Sequence, residues 1–217
     1  AELGNGGPGP VLPEEGFGIY LAGSNNRVGG TAPAERNVIG GNKNAGINLN
    51  YRATANQVLG NHIGLGSNGS SPIGNHLGGV WFDNLTGHNS IGGTIPGAGN
   101  SIWFNGRSGI HMAPGAYSSN HFLGNSIDLN GGPAYLVDVD GGLGIDLPGV
   151  NRVNQNDVSD RDSIIGGLDL QNFPTIGSAT SAGPNQMNVS GGLDTTRNRT
   201  YRVELFSSPT CDPSGFG

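Results

Sequence analysis

Gly79-Val80-Trp81-Phe82, followed by Asn89-Ser90-Ile91 and then Asn100-Ser101-Ile102, is the stretch whose reading decides the fold. In its first segment Val80 and Phe82 share one side and Trp81 takes the other, the period-two alternation of a half-buried strand. The segment recurs as Gly18-Ile19-Tyr20-Leu21, Gly46-Ile47-Asn48-Leu49, Gly109-Ile110-His111-Met112 and Gly144-Ile145-Asp146-Leu147. The second recurs as Asn26-Arg27-Val28, Asn56-Gln57-Val58, Asn120-His121-Phe122 and Asn151-Arg152-Val153, its asparagines spaced 30, 33, 31 and 31 residues apart. The third recurs as Asn37-Val38-Ile39, Asn61-His62-Ile63 and Asn125-Ser126-Ile127. Three short strands per repeat of about 30 residues predict an all-β parallel β-helix of about five turns, in which each turn covers its neighbour's apolar face.

A longer period overlies the short one. Asn26-Arg27-Val28-Gly29-Gly30-Thr31 matches Asn89-Ser90-Ile91-Gly92-Gly93-Thr94 at an offset of 63, and Asn5-Gly6-Gly7-Pro8 matches Asn130-Gly131-Gly132-Pro133 at 125. Turns therefore alternate in where they carry their loop, and the sequence is expected to begin in mid-turn. Composition agrees: 42 of 217 residues are glycine and 26 are asparagine. Both tolerate the left-handed backbone that corners need. Asparagines at one place in successive turns are also expected to stack as amide ladders.

These repeats resemble those of bacterial secreted proteins of the right-handed parallel β-helix, or pectin-lyase-like, class. The stretch from Asn89 to Asn105 carries the likeness most closely, and Leu170-Gln171-Asn172-Phe173-Pro174 resembles the segment that follows such helices. The resemblance implies an extracellular or cell-surface location in a bacterium. It is specific for fold and not for activity, because this fold carries lyases, hydrolases, adhesins and passive stalks alike. The β-helix is expected over 1–166. From 167 to 217 the pattern changes: Met187-Asn188-Val189 and Tyr201-Arg202-Val203-Glu204-Leu205 alternate like strands of a partial antiparallel sandwich, with turn chemistry at Gly191-Gly192 and Asn198. That segment is expected to lean on the last turn and cover its open end.

The composition narrows the partners. A net charge of −6 with a single lysine, Lys43, is no nucleic-acid footprint. No apolar run is long enough for a membrane helix, so no membrane insertion is expected. One cysteine, Cys211, leaves no internal disulfide and no cysteine-based metal site.

Chemistry is sought on the outward column of the first strand, Tyr20, Asn48, Trp81, His111 and Asp146, and on the next outward column, which holds Asn50 and Asp83. Aromatic rings flanked by polar groups suit a polysaccharide or cell-surface glycan. Asp83 and Asp146 lie two turns apart, roughly 10 Å at about 4.8 Å per strand. That is loose for the carboxylate pair of a glycosidase. The polygalacturonase motifs Asn-Thr-Asp, Gly-His-Gly and Arg-Ile-Lys are missing. No pair of the five histidines has a zinc spacing. Oxygen ligands gather at Asp138 and Asp140, and at Asp157, Asp160 and Asp162, which makes structural Ca²⁺ the one cofactor expected. Three readings follow: a structural or adhesive segment of a large secreted protein with glycan contacts, a polysaccharide-active lyase or hydrolase, and a subunit that stacks end to end into filaments.

Overall fold

The computed structural model describes residues 16–50, 52–83, 85–116, 119–132, 142–148, 153–161, 163–164, 168–169 and 171–207. Strands are short because a corner interrupts the chain every few residues. A first circuit contains β1 (Ile19–Leu21), β2 (Arg27–Gly29) and β3 (Val38–Ile39). A second contains β4 (Ile47–Leu49), β5 (Gln57–Leu59) and β6 (His62–Ile63). The third contains β7 (Val80–Phe82), β8 (Ser90–Gly92) and β9 (Ser101–Trp103), and the fourth β10 (Ile110–Met112), β11 (His121–Leu123) and β12 (Ser126–Asp128). β13 (Ile145–Asp146) follows. No α-helix occurs among the described residues, so no helix is long and apolar enough to cross a membrane.

Successive strands go to different sheets, and every third strand returns to the same one. The sheet orders are β1-β4-β7-β10-β13, β11-β8-β5-β2 and β12-β9-β6-β3. All pairings within these three sheets are parallel, with Ile47 opposite Val80, Val80 opposite Ile110, and Val58 opposite Ile91. This all-β topology is compatible with a β-helix-like fold.

Register turns the sequence repeats into columns inside the sheets. Ile47, Val80 and Ile110 make one column of the first sheet, and Leu49, Phe82 and Met112 make another, all buried. Val28, Val58 and Ile91 come from the second sheet and Ile39, Ile63 and Ile102 from the third, and all join the same core cluster. Phe122 closes it against Phe82, edge to face at 5.5 Å between ring centroids. Each fully buried side chain of this size contributes about 1.5–3 kcal/mol, so the core rather than any loop holds the sheets together.

The corners are held by asparagine. Three ladders run along the stack: Asn26–Asn56–Asn89–Asn120, Asn37–Asn61–Asn100–Asn125 and Asn42–Asn75–Asn105–Asn130. At each step Nδ2 and the main-chain N–H of one asparagine both donate to Oδ1 of the next, as with Asn56 to Asn89 at 3.0 Å each. The second Nδ2 hydrogen returns to a main-chain carbonyl of the preceding circuit, Asn100 to Val58 at 2.8 Å and Asn105 to Ile63 at 3.2 Å. Buried corner amides that no sheet can satisfy are paired this way.

Beyond the three sheets the strands are antiparallel. β14 (Ser163–Ile164) pairs with β15 (Leu168–Asp169), and β16 (Thr175–Gly183) pairs with β17 (Gln186–Gly192). Every residue of β16 and β17 is exposed. Two expectations need correcting here. Gly191-Gly192 lies inside β17, whereas Asn198 does fall in a turn, at φ 60°. Tyr201 to Leu205 alternates but forms no strand among the described residues, and Glu204 accepts from the Gly124 N–H.

Candidate functional site

The outward column of the first sheet is where the chemistry-bearing side chains meet. Parallel register stacks Tyr20, Asn48, Trp81, His111 and Asp146 on adjacent strands. Asp83 follows β7 directly and its carboxylate turns back onto the column. It accepts from Asn48 Nδ2 at 2.8 Å through Oδ2 and from Trp81 Nε1 at 3.1 Å through Oδ1. The Trp81 ring lies over the His111 ring, with centroids 3.9 Å apart and planes 30° from parallel. His111 Nδ1 lies 2.7 Å from Asp146 Oδ2. Hydrogen bonds and one ring stack thus connect Asn48, Asp83, Trp81, His111 and Asp146.

Outward does not mean exposed in this column. Asn48 is fully buried and Asp146 is 1% exposed. Asn48 Oδ1 and Asp146 Oδ1 are buried without a hydrogen-bond partner. Such atoms cost about 1–3 kcal/mol each unless a donor reaches them. Trp81 has one face occupied by His111, which closes that face to an incoming group. Tyr20 is the exposed member at 39%, with the Phe17 ring 5.9 Å away. Asn50 is half-buried, its N–H donating to Leu21 O at 2.9 Å.

The second candidate is the acidic loop. Asp138, Asp140 and Asp162 lie outside the described residues. Asp157 accepts from the Arg161 N–H through both oxygens, at 2.9 and 3.1 Å. Asp160 Oδ1 accepts from the Asn172 N–H at 2.7 Å, and its Oδ2 from Thr195 Oγ1 at 3.2 Å. Buried Asn172 ties the loop together: its Nδ2 donates to Asp157 O and Asp194 O, and its Oδ1 accepts from the Asp157 N–H. Among the described residues no three His, Cys, Asp or Glu side chains are close enough to hold a metal.

Alternation and register place the column members on one face, but a search of the five histidines for zinc spacing does not reveal the His111–Asp146 pair. The signal was available, because the two are neighbours in the column once the glycine starts are aligned. No family model matches the chain, and neither a curated protein nor a solved structure matches it.

Proposed function

We propose that this chain is a structural or adhesive segment of a large secreted or cell-surface bacterial protein, built as a right-handed solenoid of about five turns. In this reading residues 1–166 form the β-helix and 167–217 a distinct antiparallel segment. One observation carries it: the polar groups of the outward column are largely spent on one another, Asn48 and Trp81 on Asp83 and His111 on Asp146. A catalytic site keeps an acid, a base or a nucleophile aimed at an open space, whereas this arrangement stiffens the face of a rod. Glycan contacts fall to its exposed rim, Tyr20 and the edges of Trp81 and Asp83. A glycan array probed with the parent chain and with Tyr20→Ala tests this, since loss of a bound glycan in the variant alone supports the rim. Binding by neither protein removes the glycan contact and leaves the stalk.

A second reading, a polysaccharide-active enzyme, draws on the His111–Asp146 pair, in which a carboxylate orients an imidazole as in acid–base catalysis. Incubation with a panel of polyuronates and neutral glycans, with Ca²⁺ supplied, decides it. Release of unsaturated or reducing ends that His111→Ala abolishes would establish the enzyme.

A further inference from the structure

At the corner between the second and third sheets, two circuits carry the same tripeptide, Leu59-Gly60-Asn61 and Leu123-Gly124-Asn125. The two glycines share one left-handed conformation, Gly60 at φ 65° and Gly124 at φ 62°. In the inner circuit the Gly60 N–H donates to Ala98 O of the following circuit at 3.0 Å. In the outer circuit the Gly124 N–H donates to Glu204 Oε2 at 2.8 Å, across 80 residues of sequence. Glu204 is itself gripped, its other oxygen taking Arg202 Nε at 2.9 Å. A carboxylate thus stands where a main-chain carbonyl stands two circuits earlier.

Among the described residues the strands on either side of Gly124 are the last of their sheets. β11 ends the second sheet and β12 the third. An edge strand offers a row of main-chain donors and acceptors to any extended chain, and native proteins blunt such edges with charge or a covering segment. Glu204 supplies the charge, and its carboxylate takes the Gly124 N–H at the corner between the two edges. The segment that carries it is tied at its base, where Tyr201 Oη donates to Thr196 O at 3.3 Å. Beside Glu204, Val203, Leu205 and Phe206 are half or more exposed.

We propose that residues 201–207 are an end strap, latched by Glu204 on Gly124, that shuts β11 and β12 against strand addition by a second copy of this chain. A second copy brings the matching element. Its β16–β17 ribbon is exposed throughout, pairs with no third strand among the described residues, and presents Ile176, Met187 and Val189. Released from Gly124, the strap leaves the edge beside Asn125, where the second asparagine ladder ends.

The test compares the full chain with Glu204→Lys and with Arg202→Ala, which loosens the latch without altering Glu204. Amide hydrogen exchange at Gly124 and sedimentation over a concentration series are the readouts. In Glu204→Lys, exchange at Gly124 rises about tenfold or more, as for a corner that opens locally, and the sedimentation coefficient climbs with concentration beyond that of the parent. Arg202→Ala moves both readouts the same way by less. Unchanged exchange at Gly124 in Glu204→Lys overturns the latch. Faster exchange without added association overturns the protection of the edge.

Discussion

The main-chain N–H and the side-chain amide of Asn61 both donate to Oδ1 of Asn100, at 2.9 and 3.0 Å. One oxygen therefore satisfies two buried donors, and Asn100 repeats the arrangement toward Asn125 at 3.1 and 2.9 Å. Asn100→Ala strands both Asn61 donors and the Val58 carbonyl. Buried groups left this way cost about 1–3 kcal/mol each, so the loss is roughly 3 kcal/mol or more in urea unfolding. Asn26→Ala, at the exposed start of a ladder, costs about 1 kcal/mol or less by the same measurement.

Gly60 turns the chain between the second and third sheets at φ 65°. A Cβ there would run into the Gly30 carbonyl oxygen of the preceding circuit. Gly60→Ala is expected to destabilise by about 2 kcal/mol or more, because strain and collision add. Gly132→Ala, where a Cβ meets nothing within 4 Å, leaves the midpoint within error.

His111 and Asp146 form a pair whose side chains are 13% and 2% exposed. His111→Ala takes away the partner of a buried carboxylate and costs roughly 3 kcal/mol. The double variant His111→Ala/Asp146→Ala recovers part of that loss, and a double-mutant cycle reads the coupling directly. Purely additive effects would show that the two do not interact in solution.

The acidic loop closes on protein donors, with Asn172 at its centre. The melting temperature is expected to be the same in Ca²⁺ and in chelator. A rise with Ca²⁺ that chelator reverses would place an ion in this loop, since a ligand of the native state alone must stabilise it. Asn172→Ala lowers the melting temperature under both conditions.

Glu35 gives the pH dependence of a surface loop. The Ala32 N–H, 3.1 Å from Oε2, and the Arg27 guanidinium, 2.7 Å from Oε1, hold its carboxyl below the usual value. A depressed folded pKa means that its stabilisation is complete above the ordinary carboxylate range and is lost as pH falls through the lowered value. The Ala32 amide resonance should therefore move in an acid titration at a pH below that of a free glutamate. Glu35→Gln removes the transition.

Strand position was legible wherever a glycine start or an asparagine marked a corner. Two ladders follow from the asparagines that open the second and third strands. The third, Asn42–Asn75–Asn105–Asn130, went unread, although Asn42, Asn75 and Asn105 each stand four residues before a strand glycine, Gly46, Gly79 and Gly109. The column of Asn48, Trp81, His111 and Asp146 was legible as a face but not as a covered one. Alternation says which side turns from the core and nothing about what else lies there. β16 was missed because Thr175 to Gly183 is small and polar and carries no apolar alternation. Tyr201 to Leu205 alternates without becoming a strand, since pairing depends on a partner that the segment itself does not encode.

All three asparagine ladders point their amides the same way, so both surfaces of a circuit pair keep one polarity wherever it sits. Tandem duplication of a 63-residue block inside the coding sequence would create one new seam, with the same polarity as those already present. The chain would grow by two strand spacings, about 10 Å, at each such event. Distance between the ends is then a quantity that can be reset in fixed steps, as on a ruler, while the surfaces carried there stay as they are.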